Sequence, residues 1–167
     1  MSELVYLHPM IVHFPIALLI IGFLSDLAGL VLKRQFFSSA GLFLLILGTI
    51  SLVAAYLSGN AAGEGLAEEG PLKRALDFHE GAAELTLWIM LFAAIFRLGM
   101  LVMKKTTTGW RWIAVGLFFL GVLSVARTGY YGGRLVFNHA AGVQIAIDTE
   151  AEASSESGIN SSSTNPQ

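Results

Sequence analysis

Four histidines are the side chains of this chain best suited to chemistry: His8 and His13 near its start, His79 in its middle and His139 late. Neutral imidazole binds haem iron and also zinc, copper or nickel. The alternatives are thin. With no cysteine, thiolate metal sites, iron–sulfur clusters, disulfides and covalent haem attachment are excluded. No Glu-x-x-His pair is present, which argues against a ferritin-like di-iron carboxylate site. There is no glycine-rich nucleotide loop or nucleophile motif, and nothing points to nucleic acid.

The elements that must position these imidazoles follow from composition. Apolar residues make up 54% of the chain and charged ones 13%, against about 25% charged in a soluble domain. That is too little charge to cover a water-facing surface, so lipid is the solvent. A crossing needs roughly 20 apolar residues, and the backbone of a spanning segment must satisfy itself, which makes these segments helices. Four stretches qualify: 10–32, 36–57, 76–103 and 113–137. The Gly70-Pro71 step starts the third early, with proline at a first helical position. The fold class expected is all-α, an up-down bundle of four transmembrane helices over residues 1–147. The acidic, serine-rich tail 148–167 cannot bury enough apolar surface to fold. No internal repeat of convincing quality is visible.

Lys33, Arg34, Lys104, Lys105 and Arg111 fall on one side without an acidic residue, while Glu3, Glu64, Glu68, Glu69, Asp77, Glu80 and the tail fall on the other, offset only by Lys73, Arg74 and Arg134. The positive-inside rule makes the basic side cytoplasmic and places both termini outside. All four histidines then collect at the outer face, brought there by helices 1, 3 and 4. In an up-down bundle helices 1 and 3 are diagonal, leaving room for a porphyrin between two axial imidazoles. His13 and His79 are the expected axial pair of a haem b. His8 and His139 serve as alternates, or hydrogen-bond the propionates with Lys73, Arg74 or Arg134. Gly59, Ala61, Ala62 and Gly63 on helix 2 and Gly129, Gly132 and Gly133 on helix 4 would admit the ring, although small residues also serve close helix packing. A second reading is a cofactor-free scaffold or accessory subunit whose histidines cap helices. A third is a zinc or copper site of His13, His79 and His139, with or without His8. His8-Pro9 and His13-Phe14-Pro15 read as helix starts, because the residue before proline avoids the α region.

Charges inside the spans carry further expectations. Counting from the histidine end puts Asp26 and Arg127 at similar depth, which predicts an Asp26–Arg127 ion pair between helices 1 and 4. Glu80 and Glu84, with Asp77, share a face of helix 3 and could orient a histidine N–H. Arg97 is expected to snorkel to the basic interface without a further role.

The opening His8-Pro9-x-x-x-His13-Phe14-Pro15-Ile16-Ala17-Leu18 resembles the signature of a bacterial membrane domain, domain of unknown function 2231. The resemblance continues through His79 and Gly132-Gly133-Arg134-Leu135-Val136-Phe137-Asn138-His139-Ala140-Ala141-Gly142-Val143, and covers about residues 5 to 145. It implies a four-helix protein of the bacterial inner membrane, similar to the bundles of small b-type cytochromes. Such proteins look like companions of respiratory redox proteins. The implied partners are the lipid bilayer and a periplasmic or membrane redox protein, with a homo-oligomer as a further option, and the implied role is electron transfer. His8, His13, His79 and His139 are the residues that carry the match.

Overall fold

A computed structural model describes residues 4–64, 69–104 and 107–141. They form α1 (Leu4–Val31), α2 (Gln35–Gly63), α3 (Pro71–Val102) and α4 (Thr108–His139). The serine-rich tail and Lys105 lie outside the described residues. None of the helices has a polar face running its full length, and only about a third of each span is buried in the bundle. Apolar residues therefore clothe both the interior and the lipid surface, as a bilayer requires. Each of the four is long and apolar enough to cross a membrane.

The helices run longer than their apolar runs. α1 begins ahead of Pro9, so Pro9 and Pro15 lie inside it instead of opening it. Each proline deletes one helical hydrogen bond, a loss that spanning helices tolerate when other donors fill in. His13 is held on the same turn, its Nδ1–H donating to the Pro9 carbonyl at 2.5 Å. α2 continues to Gly63 through the small residues that follow Leu57. Gly70 precedes α3 with φ 94°, a left-handed conformation natural to glycine, and Pro71 opens the helix.

α1 packs most extensively on α2 and α3 on α4, and the two hairpins meet through α2–α3 and α1–α4. α1 and α3 therefore face each other diagonally. The hairpins also repeat one another in register, a relation the sequence alone conceals. Asp26 and its partner Arg97 are 71 residues apart, and the same interval relates His8 to His79, Leu19 to Met90 and Lys33 to Lys104. In the second helices the interval is 73, the spacing of the hydrogen-bonded Ser38 and Arg111. It relates Leu45 to Phe118, Gly48 to Gly121 and Gly59 to Gly132.

Matched residues share matched surroundings. Leu19 and Met90 are both fully buried. They sit against Gly48 and Gly121, where an added Cβ would lie 2.7 and 2.6 Å from their side chains. Lys33 and Lys104 both take φ 54° just past the first helix of their hairpin. Both hairpins start and finish at the same end, so the approximate two-fold axis runs along the bundle. Whatever α1 and α3 point inward meets on that axis.

Candidate cofactor site

At the histidine end, His8 and His79 meet across the axis with ring centroids 6.5 Å apart and planes at 75°. Their tautomers follow from their partners. His79 Nδ1 lies 3.2 Å from the Thr128 carbonyl, which only accepts, so Nδ1 carries the proton. His8 Nδ1 lies 2.9 Å from Ser58 Oγ. That hydroxyl spends its own proton on the Ala55 carbonyl at 2.9 Å, so it must accept from His8. Ala55 stands 73 residues before Thr128, so the orienting carbonyls obey the same repeat. Both imidazoles consequently keep a lone pair on Nε2. A ring held this way is ready to bind a metal.

Two of the glycines expected to admit a ring, Gly59 and Gly132, admit these imidazoles. A Cβ on Gly59 would lie 2.8 Å from His8 Cε1, and one on Gly132 would lie 3.1 Å from His79 Cε1. Beside the two rings a cavity of about 620 Å³ opens between the hairpins, with Gly59, Ala62 and Gly63 on its α2 wall and Gly129, Gly132 and Gly133 on its α4 wall. Its size lies within the usual ligand-pocket range of about 300–1,000 Å³. Beneath His79, Thr86 bonds both Ser124 at 2.7 Å and Thr128 at 2.9 Å, tying α3 to α4. Gly59→Val should therefore lower thermal stability in detergent by about 1–3 kcal/mol through overpacking. Gly116→Ala, where the added methyl meets nothing within 4 Å, should be neutral or slightly stabilising.

The remaining candidates are placed elsewhere. His13 is exposed at the cavity rim. Five residues along a helix rotate a side chain by about 140°, so His8 and His13 cannot both face the axis, and His8 is the one opposite His79. His139 is half-buried in the last turn of α4 and does not line the cavity, although Phe137 and Ala141 to either side of it do. Among the described residues no three His, Cys, Asp or Glu side chains gather as a metal site, so the three-imidazole arrangement of His13, His79 and His139 is not formed. Glu80 borders the cavity, whereas Glu84 lies in a groove on the outer side of α2 and α3. The groups orienting His8 and His79 are Ser58 and the Thr128 carbonyl, which their positions late in α2 and α4 do not advertise.

The basic end carries the other on-axis contact, and it corrects the expected ion pair. Asp26, 2% exposed, accepts from Arg97 at 2.8 Å, while Arg127 lies over the Tyr131 ring at 5.5 Å. The expected Asp26–Arg127 pair rested on treating His139 as level with His13. Because His79 sits on Gly132, the last turns of α4 project past the site, and Arg127 lies only about 7.5 Å below it at 1.5 Å per residue. Asp26 and Arg97 each follow their histidine by 18 residues, five turns at 3.6 residues per turn. They therefore occupy the same inward face as His8 and His79. Gly41 lets α2 close on Asp26, its added Cβ meeting Asp26 Cβ at 2.6 Å. Arg111 donates to Ser38. One polar residue from each helix thus closes this end.

Comparison with known proteins adds a family and no chemistry. A family model described as "Predicted membrane protein (DUF2231)" matches residues 5–145. No curated protein and no solved structure matches the chain.

Proposed function

This chain belongs to the DUF2231 family of predicted membrane proteins, and we propose that it is a one-haem electron carrier whose haem b is held between His8 and His79. The observation that carries the reading is the pair of imidazoles, each with Nδ1 engaged by Ser58 or Thr128 and Nε2 left as a lone pair. The two rings stand 6.5 Å apart between centroids and both line the apolar cavity between the hairpins, so His8 and His79 are the residues that would hold the group. The small residues on α2 and α4 flank the gap where a macrocycle would extend. Haem bound there would supply a one-electron couple, and the bundle would fix its ligands and limit water.

The basic residues favour placing Lys33, Lys104 and Arg111 in the cytoplasm. The histidine site then opens toward the exterior of a bacterial inner membrane, and its electron partner is a redox protein on that face. No histidine lies at the basic end, so the chain serves one face and is not a two-haem wire across the bilayer.

Purified in detergent from haem-replete cells, the protein should show a Soret band that shifts on dithionite addition and sharp reduced α and β bands, with one haem per chain. A colourless preparation overturns the haem reading. Stoichiometric copper or zinc in it would keep His8 and His79 as ligands and change the ion. The absence of both would leave a scaffold.

A further inference from the structure

We infer that a second copy of this chain packs against the lipid-facing side of α3, with Glu84 of each copy paired to Arg127 of the other. Gly132 abuts the His79 ring, so α3 at His79 and α4 at Gly132 are level. Glu84 and Arg127 lie five residues toward the basic end from these two points, each about 7.5 Å deeper by helix rise. They share one depth, both are exposed, and among the described residues neither has an ion-pair partner. Lys73, the lysine that lines the same groove as Glu84, is taken by Asp77 at 2.7 Å. Ionised groups on a lipid surface are costly, and they persist where something neutralises them.

The two charges flank one apolar stripe. Leu85, Trp88 and Phe92 are exposed on α3. Glu84 lies on the α2 side of that stripe, in the groove with Tyr56 and Asn60. Arg127 lies on the α4 side, over Tyr131, which stacks on Phe78 at 6.0 Å. A two-fold axis normal to the membrane sets the α2 side of one copy against the α4 side of the other. It therefore makes two Glu84–Arg127 contacts at once, with Trp88 and Phe92 between them. This interface is independent of whether the histidine site holds haem.

The test uses full-length protein in liposomes, with dimer formation read by energy transfer between differently labelled copies. Wild-type copies should associate. Glu84→Arg alone and Arg127→Glu alone should each weaken association at least about tenfold through like-charge contacts. Mixing the two variants should restore it, because each then supplies the charge the other lacks, and the double variant Glu84→Arg/Arg127→Glu should associate with itself. Unchanged thermal midpoints of the single variants separate loss of the interface from loss of fold. A monomeric wild type, or a mixture no better than its components, overturns the inference. The latter outcome would assign the two charges to lipid headgroups.

Discussion

Asp26→Asn, with Arg97 retained, should lower stability by about 3–5 kcal/mol, the cost of leaving a buried charge without its partner. The carboxylate is 2% exposed and is the acceptor for Arg97 NH2 at 2.8 Å. Arg97 Nε is already buried without an acceptor among the described residues, so the guanidinium has no reserve partner to turn to. Asparagine keeps the shape that Gly41 accommodates and removes only the charge, which isolates the electrostatic loss from any packing change. The double variant Asp26→Asn/Arg97→Gln should recover most of the loss, since removing both charges of a buried pair is often close to neutral. Arg127→Gln should leave the monomer's stability unchanged, because Arg127 is exposed and only overlies Tyr131. Thermal or denaturant unfolding of detergent-solubilised protein distinguishes the three. An Asp26→Asn protein as stable as wild type would show that the on-axis pair does not hold the hairpins together.

What the sequence discloses here divides by the physical strength of the signal. Four long apolar runs in a chain with little charge leave the membrane bundle as the only economical fold, and Gly70-Pro71 marks the start of α3 because it combines a left-handed glycine with a first-turn proline. The histidine end was legible from the alternation of helix directions. The choice of His8 over His13 was not, because both belong to one helix and only its rotation separates them. That rotation is set by core packing of Leu19 and Met90 against Gly48 and Gly121, contacts between residues far apart in the chain. The repeat stayed hidden for a related reason. Its paired positions conserve role more than identity: Leu19 answers to Met90, Leu45 to Phe118 and Asp26 to Arg97, and the interval shifts from 71 to 73 between first and second helices. Arg127 is obscured for the same reason. Helix ends do not mark depth, whereas a packed pair such as His79 and Gly132 levels two helices.

Alanine at His8 or at His79 should each abolish the sharp reduced bands expected of the haem protein, whereas His13→Ala and His139→Ala should leave them in place. The contrast follows from position. His8 and His79 face each other at 6.5 Å, while His13 is exposed at the rim and His139 is not among the residues lining the cavity. Loss of colour alone would not separate a ligand from a packing residue, so the informative variant is His79→Gly with imidazole added to the medium. If His79 is a ligand, free imidazole should restore the spectrum in that variant and do nothing for a variant that merely unfolds. Ser58→Ala supplies the graded counterpart. It removes the acceptor that fixes the His8 tautomer, and loss of such an outer partner typically costs 10–100-fold in metal affinity. Ser58→Ala should therefore weaken haem retention without abolishing it, and Ser58→Thr, which keeps the hydroxyl, should recover it. Should His13→Ala prove as damaging as His8→Ala, the repeat would not be choosing the ligands. The pairing of His8 with His79 would then be a packing contact between hairpins.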